Sequence, residues 1–349
     1  MPFDISSPGG LTFAVTLLGF ALSWSLTWLM RRYALSAKLL DTPGDRSMHT
    51  VPTPRGGGVS IVASFNALVA GLYCFGAIPS ALLIALLGSG GLVALIGFID
   101  DRQPLPARWR FLAHTCAAVW TLWLMNGIPA VPLFGYAVDL GWFGLVLAAI
   151  YLVWMVNLYN FMDGLDGIAS IEAITVCLSG ALCWWWATRT PLWFVPLVFA
   201  CCVAGFLIWN YPPAKIFMGD AGSGFIGMVL GFFSLWTGQE SPQMFWCWFV
   251  LLGCFMVDAT TTLVRRVRRG EKFHEAHRSH AYQYAARKHG SHRSVTLAVG
   301  AINLAWLLPI ALLVALRLVD GVAAVIVAYA PLVWLAFRYH AGDRASQDV

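Results

Sequence analysis

The sequence is poor in charged residues. Only 11% of its 349 residues are Asp, Glu, Lys or Arg, whereas 59% are hydrophobic. Soluble chains carry about 25% charged residues, so the composition excludes an ordinary soluble protein and indicates one whose core lies in a membrane. The net charge of +5 reflects the loops between apolar segments and gives no reason to expect a nucleic-acid partner.

Cysteine pairs of the kind that bind metals or form disulfides are also missing. All eight cysteines lie within or at the ends of apolar segments, and none forms a Cys-x-x-Cys pair. We therefore expect buried free thiols, without disulfides or a thiolate metal site. The first apolar segment has no basic residue before it and no obvious cleavage site, so we interpret it as a retained span and not as a signal peptide.

Apolar segments long enough to cross a bilayer recur along the whole chain. They predict an all-α polytopic membrane protein that forms a single domain over residues 1–349, with about eleven transmembrane helices. The predicted spans are residues 11–30, 58–75, 81–99, 111–125, 143–159, 168–187, 192–209, 225–236, 245–264, 295–316 and 322–337.

The basic residues predict how these spans are oriented. Of the 22 Lys and Arg residues, only Arg189 and Arg317 would fall on one side of the membrane, which leaves 20 on the other. The positive-inside rule makes the richer side cytoplasmic, so we expect a periplasmic N-terminus and a cytoplasmic C-terminus. The expected cytoplasmic active-site loops are residues 31–57, 100–110, 160–167, 210–224 and 265–294.

One group of polar residues lies where the fifth predicted span ends and the sixth begins. Asn157, Asn160, Asp163 and Asp166 recur there at every third residue, with two interspersed glycines. On an α-helix they would form a slanting stripe, which the glycines would loosen. Polar groups at membrane depth are costly unless they are paired or hydrated. The pattern therefore favours a binding site, with a polar loop and turn glycines as the alternative.

Three more polar stretches lie on the same predicted side. Asp100 and Asp101 end the third span and would face a metal, a reacting group or a cation, or else cap a loop. Residues 52–58 combine prolines, Arg55 and three glycines, a pattern typical of an anion site or of a hinge. A Gly-Asp-Ala-Gly-Ser sequence surrounds Asp220 and is typical of a phosphate cradle with a metal-binding carboxylate, or of an ordinary turn.

The last large loop contains several histidines and arginines between residues 265 and 293. We interpret them as a cationic, hydrogen-bonding cluster for phosphates and sugar hydroxyls, with a purely topological basic loop as the alternative. All of these stretches lie at span ends, whereas a transporter is expected to place its site near the membrane midplane. Together they favour Mg²⁺-assisted phosphoryl transfer involving a lipid, with a transporter of lipid-linked sugars as the rival class.

These motifs resemble those of the polyprenyl-phosphate N-acetylhexosamine-1-phosphate transferases, the glycosyltransferase family 4 superfamily that also contains the phospho-MurNAc-pentapeptide translocase. The loop that begins His277-Arg278-Ser279-His280 differs from the His-X-His-His form of some relatives. It looks like the branch that starts O-antigen or other surface-glycan chains, and it leaves the sugar open. The matching stretches are residues 52–58, 100–101, 157–167, 217–223 and the histidine-containing loop.

The resemblance implies a specific reaction at the bacterial inner membrane, with the active site facing the cytoplasm. An N-acetylhexosamine 1-phosphate group would pass from a UDP-N-acetylhexosamine to undecaprenyl phosphate, giving undecaprenyl-diphospho-sugar and UMP. The implied partners are these two substrates and the lipid bilayer, and a homodimer stays an open alternative. The pentapeptide branch is the rival within the superfamily.

The resemblance also implies roles for individual residues. Mg²⁺, or Mn²⁺ as an alternative, would bind Asp220 with help from Asn160. The implied catalytic residues are Asp100, Asp101 and Asp220. The implied substrate-binding residues are Arg55, Asn157, Asp163, Asp166, Asn210, Lys215, His277, Arg278 and His280. A phosphate monoester is mostly dianionic at pH 7, so a general base has little to remove, and we expect Asp100 and Asp101 to serve metal binding and positioning.

Overall fold

Helices make up nearly all the regular structure of residues 8–43, 48, 51–188, 190–271 and 278–343, the part of the chain that the computed structural model describes. This confirms the predicted all-α class. The helices are α1 (Pro8–Ser36), α2 (Val59–Cys74), α3 (Ser80–Ala85), α4 (Gly91–Asp100), α5 (Ala107–Leu124), α6 (Gly141–Met162), α7 (Ile168–Thr188), α8 (Phe194–Asn210), α9 (Asp220–Glu240), α10 (Gln243–Leu251), α11 (Gly253–Arg268), α12 (Ala281–His289), α13 (His292–Ile302), α14 (Leu308–Ala315) and α15 (Gly321–Arg338).

Short π-helical turns join two pairs of these helices into longer ones. Leu86–Gly90 connects α3 to α4, and Asn303–Leu307 connects α13 to α14, while a 3₁₀ turn at Pro191–Trp193 precedes α8. Two antiparallel strand pairs lie in the loops. They are β1 (Leu40–Asp41) with β2 (Thr53–Pro54), and β3 (Val131–Leu133) with β4 (Tyr136–Val138).

Every predicted span falls on a helix. Within the described residues, eight helices are long and apolar enough to cross a membrane, or nine if the bent pair α10 and α11 counts as one span. The predicted spans at residues 58–75 and 111–125 fall on α2 and α5, and α2 is a shorter apolar helix. The count of eleven crossings and their orientation therefore stay predictions.

The ninth predicted span, residues 245–264, is not one straight helix. It consists of α10 and α11, whose axes differ by 72°. A helix break frees backbone groups, which at membrane depth must find partners within the protein. The backbone N–H of Phe255, just after the break, lies near the carboxyl group of Glu172. Glu172 is fully buried and accepts a 2.6 Å hydrogen bond from Asn303 at one of its carboxyl oxygens, which pairs it within the bundle.

Helix α9 is the centre of the bundle. It is longer than the predicted span at residues 225–236, and its apolar window is 94% buried, against 17% for α1. Its first turn packs on the start of α2 without intervening side chains, because a Cβ atom on Gly58 would lie 2.4 Å from the Cα atom of Gly222. Only glycine permits so close an approach of two backbones.

Backbone hydrogen bonds fasten the loop before α2 to the loop before α9. The N–H groups of Gly57 and Gly58 donate to the carbonyls of Phe217 and Met218 at 2.8 Å, and the Phe217 N–H donates to Pro54 at the same distance. The expectation that this glycine run offers free N–H groups to an anion is therefore wrong for Gly57 and Gly58. Their small size and their hydrogen bonds instead hold two loops together.

This contact gives a prediction for stability. Gly58→Ala should lower the free energy of unfolding by about 1–3 kcal/mol, because its Cβ atom would push α2 away from α9. Gly71→Ala, in the same helix with no atom within 4 Å of the added Cβ, should be neutral or slightly stabilising. Thermal unfolding of the detergent-purified variants measures both, and equal midpoints would contradict the proposed close contact.

Candidate active site

Three residues from separate loops meet at one end of the bundle. Arg55 lies before α2, Asp101 follows α4 and Asp220 begins α9. The Arg55 Nε atom is 2.8 Å from Asp101 Oδ1, and its Nη2 atom is 2.6 Å from Asp220 Oδ1. One guanidinium therefore bridges two carboxylates that are 119 residues apart.

Asp101 also caps the N-terminus of α9. Its Oδ1 atom accepts a 2.9 Å hydrogen bond from the Asp220 N–H, and its Oδ2 atom accepts one of 3.2 Å from the Ala221 N–H. A helix N-terminus leaves N–H groups without intrahelical partners and favours negative charge. Gly219, with φ +78°, leads into the helix, and a Cβ atom there would lie 2.5 Å from Asp101 Oδ2. Burial raises the pKa of Asp101 to about 6, against the lowering effect of Arg55.

Asp100 forms a second, adjacent ion pair. Its Oδ2 atom is 2.8 Å from Arg110 Nη1, and its Oδ1 atom accepts a 2.6 Å hydrogen bond from the Leu105 N–H. The same Arg110 nitrogen is 3.8 Å from Asp220 Oδ2. The two neighbouring aspartates thus point to different arginines, and Asp220 lies between the pairs.

The predicted polar stripe is only half helical. Helix α6 ends at Met162, so Asn157 and Asn160 lie on it, whereas Asp163 and Asp166 follow in a turn. The four residues therefore do not form one stripe on a helix, whereas the expected loosening beside the glycines is confirmed, and Gly167 takes φ +73°.

Asp163 is the carboxylate in this cluster that lacks a partner. No hydrogen bond or ion pair of its side chain is found within the described residues. Burial, together with the negative charges of Asp220, Asp101 and Asp166, raises the pKa of Asp163 well above its ordinary value, although Arg55 opposes this. An ionised Asp163 would therefore gain from a bound cation.

Asp166 and Asn210 hold loops together. Asp166 Oδ2 accepts a 3.0 Å hydrogen bond from the Ala214 N–H, and its Oδ1 atom is 3.4 Å from His292 Nδ1. Asn210 is buried, accepts from the Gly167 N–H and donates to the Ile216 carbonyl, both at 2.9 Å. Their predicted contact with a nucleotide stays a prediction, but these atoms already have protein partners.

Two loops carry the remaining predicted ligands that the structure describes: Lys215 precedes α9, and Arg278 and His280 precede α12. Lys215 is exposed, with its Nζ atom 5.6 Å from the centre of the Trp209 ring. Arg278 is partly exposed, whereas His280 is buried with its Nδ1 atom 3.3 Å from Asp258 Oδ1. His277 lies outside the described residues.

A cavity of about 680 Å³ opens beside Asp220. Asp100, Arg110, Asn157, Asn160 and Asp220 lie at its polar end. Its other walls are mainly apolar side chains of α4, α5 and α6. They include Ile96, Phe111, Ala149, Ile150, Val153, Trp154 and Val156, and Leu263 of α11 also contributes.

Three basic side chains that line this cavity, those of Arg108, Arg110 and His114, are absent from the predicted site residues. Arg110 and His114 lie one helical turn apart on α5, so they share a face, and both line the cavity. The Nδ1 atom of His114 is buried, and no described residue forms a hydrogen bond with it. The four-residue spacing of Arg110 and His114, shortly after Asp100 and Asp101, is a sequence pattern that could have identified them as site residues. It is not specific, because the positive-inside rule also places basic residues near span ends.

Comparison with known proteins adds independent information. The glycosyl transferase family 4 profile matches residues 83–238. A probable undecaprenyl-phosphate N-acetylglucosaminyl 1-phosphate transferase of Bacillus subtilis is 28% identical, over 84% of this chain and 81% of its own. A decaprenyl-phosphate N-acetylglucosaminephosphotransferase of Mycolicibacterium smegmatis is 31% identical, over 83% and 77%. A phospho-N-acetylmuramoyl-pentapeptide-transferase of Thermotoga petrophila is 30% identical, over 71% and 78%.

The cap on α9 gives a prediction for Asp101. Asp101→Asn should lower the free energy of unfolding by about 1–3 kcal/mol, because an amide nitrogen would then face a backbone N–H or Arg55. Asp320→Asn is the matched control, since Asp320 caps α15 through one oxygen only, and Asn serves as an N-cap equally well. Thermal unfolding compares the two, and a loss of similar size in both variants would contradict a special role for Asp101.

Proposed function

The chain belongs to the superfamily of polyprenyl-phosphate N-acetylhexosamine-1-phosphate transferases, and we propose that it transfers N-acetylglucosamine 1-phosphate from UDP-N-acetylglucosamine to undecaprenyl phosphate. The products would be undecaprenyl-diphospho-N-acetylglucosamine and UMP, the first lipid-linked intermediate of a surface glycan such as an O-antigen. The reaction would take place at the cytoplasmic face of the inner membrane.

The observation that carries this proposal is the composition of the cavity beside Asp220. Its polar end combines carboxylates, amides and the Arg110 guanidinium, and its remaining walls are mainly apolar, with Arg108, His114 and Thr115 as polar exceptions. A lipid phosphate needs both environments. Its charged phosphate has an unfavourable free energy within the membrane, and its hydrocarbon chain has one in water.

The cavity extends far enough along α6 to hold part of a lipid chain. Ala149 and Asn160 both line it, and eleven residues of α-helix span about 16 Å. The phosphate would lie near Asn160 and Asp220, and the first isoprenoid units would contact Ile150, Val153 and Trp154.

The charges near Asp220 support a divalent cation. Asp100, Asp101, Asp163 and Asp220 bring four negative charges, and Arg55 and Arg110 bring two positive ones, which leaves a net charge of −2 if all are ionised. No three His, Cys, Asp or Glu side chains within the described ranges form a metal site by themselves.

That donor set fits Mg²⁺, which typically takes one or two carboxylates and completes its shell with waters and phosphate oxygens. Asp220 and Asn160 would hold the ion, with Asp163 close by, and Mn²⁺ is the alternative. When bound, the ion would reduce the repulsion between the two phosphate groups.

The surrounding side chains suit displacement by an acceptor that is already ionised. An oxygen of the lipid phosphate would attack the phosphorus that carries the sugar, and the bond to the UMP oxygen would break. One phosphoanhydride replaces another, so no net proton transfer is needed. Both oxygens of Asp100 and of Asp101 are engaged by N–H groups and arginines, which supports a positioning role for them. Arg55 and Arg110 would offset the accumulating negative charge.

The donor sugar is proposed from the relatives. The Bacillus subtilis and Mycolicibacterium smegmatis proteins are named for N-acetylglucosamine and align over more than three quarters of their own lengths. A muramyl-pentapeptide donor is the second candidate, because relatives with that name also align. A transporter of lipid-linked sugars is less favoured, since the polar cluster lies at helix ends.

The first test of this function is UMP release by purified protein. With undecaprenyl phosphate, Mg²⁺ and UDP-N-acetylglucosamine, UMP should form, and a chelator should stop it. Asp220→Ala should reduce the rate by about a hundredfold or more, whereas Asp139→Asn, before the opposite end of α6, should leave it unchanged.

A donor panel then identifies the sugar. UMP release with UDP-MurNAc-pentapeptide alone would favour the second candidate. No UMP with any donor, from wild-type protein shown to be folded, would overturn the transferase assignment.

The cavity wall gives a separate prediction. Val153→Trp should raise KM for undecaprenyl phosphate by about tenfold, because the indole would fill space that the isoprenoid chain needs, and KM for the UDP-sugar should not change. Val146→Trp is the control, since Val146 is exposed on the same helix two turns away and does not line the cavity. An equal effect of both substitutions would count against this cavity as the lipid site.

A further inference from the structure

Residues 340–343, which follow α15, fold back onto the end of α11; we call them the α15 turn. Arg265 donates from Nη1 to the Ala341 carbonyl at 2.6 Å, and its Nη2 atom lies 2.5 Å from Asp343 Oδ1. Arg269 donates to the Gly342 carbonyl and lies 3.5 Å from the same Asp343 oxygen. Two arginines thus fix the position of the α15 turn. The proposed reaction assigns no role to this turn.

The α15 turn in turn holds the loop before α12. The Gly342 N–H donates a 2.6 Å hydrogen bond to the carbonyl of Ser279, the residue between Arg278 and His280. Gly342 has φ +77°, and a Cβ atom there would lie 3.0 Å from both Arg265 Cβ and the Thr262 carbonyl oxygen. Glycine is therefore needed for the turn to approach the loop so closely.

Asp258 of α11 forms hydrogen bonds with the same loop from inside the bundle. Its Oδ1 atom accepts a 3.0 Å hydrogen bond from the Ala281 N–H, and its Oδ2 atom accepts one of 2.9 Å from the Tyr282 N–H. The Tyr282 hydroxyl donates to the Phe161 carbonyl at 3.0 Å, one residue from Asn160. The loop is therefore held beside the polar end of the cavity.

Arg278 directly precedes these two attachment points and is partly exposed. Its carbonyl accepts a 3.3 Å hydrogen bond from Arg287 Nη1, so its backbone has a defined position while part of the residue stays accessible to solvent. An arginine whose backbone is already fixed loses less conformational entropy when it binds a diphosphate than one on an unrestrained loop. It therefore binds the diphosphate more tightly.

We propose that the α15 turn is a positioning element for donor binding: Gly342 and Asp343 hold Ser279 so that Arg278 meets the diphosphate of the UDP-sugar. The inference rests on the proposed function, because it assigns Arg278 to the donor. The turn contacts neither Asp220 nor the walls of the lipid cavity, so its loss acts on donor affinity and leaves the chemical step and lipid binding intact.

The test uses the full-length purified protein and steady-state kinetics with both substrates varied. Gly342→Ala displaces the turn from Arg265 and Thr262, and Asp343→Asn weakens its hold on both arginines. Each should raise KM for UDP-N-acetylglucosamine by about tenfold, with kcat and KM for undecaprenyl phosphate within about twofold of wild type.

Matched controls separate this effect from general instability. Gly76→Ala imposes a similar strain, since Gly76 has φ +70°, but its added Cβ meets no atom within 4 Å. Asp320→Asn changes the acid at the other end of α15. Both should keep wild-type KM values.

Hydrogen exchange of the peptide that covers residues 278–284 gives a readout independent of activity. Gly342→Ala should accelerate exchange there, and Gly76→Ala should not. Unchanged exchange, an unchanged donor KM, or an equal loss in kcat and both KM values would overturn the positioning role. Failure of the proposed function itself would show in the wild type, as absence of UMP release, and not in the variants alone.

Discussion

The N-terminus of α9 is the constraint on which the rest of the site depends. Helix α9 is surrounded by other helices, so its first N–H groups need partners from the protein. Asp101 supplies two acceptors, and Arg55 bridges it to Asp220. Buried charges persist only when they are paired and hydrogen-bonded. This requirement brings residues from three separate loops to one point and places Asp220 at the mouth of the cavity.

The same arrangement places charge where a membrane tolerates it. The carboxylates and arginines lie at helix ends, and the cavity becomes apolar along α6 away from them. Charge at the bilayer centre is costly, so the boundary between membrane and water suits the proposed reaction between a nucleotide-sugar and a phosphate on a lipid. The broken pair α10 and α11 contributes to both regions, with Leu263 on the cavity and Asp258 under the loop before α12.

Several residues that the sequence suggests as ligand-binding residues instead form hydrogen bonds between loops. Gly57 and Gly58 donate to carbonyls of the loop before α9, and Asn210 connects Gly167 to Ile216. A phosphate-binding loop and a hydrogen-bonded contact between two loops need the same sequence features, which are glycine N–H groups and short polar side chains. What distinguishes them is the partner that each group faces, and that partner is remote in the sequence.

The sequence by itself determined the all-α class, the helix at each apolar segment, and the set of polar stretches that converge, because helix formation in lipid follows from local length and hydrophobicity. It also identified Arg55, Asp100, Asp101, Asn160 and Asp220 as one group. Only the tertiary structure decided that Arg110 and His114 line the cavity and that residues 340–343 hold Ser279. Each of these depends on contacts between segments far apart in the chain, which no local pattern encodes.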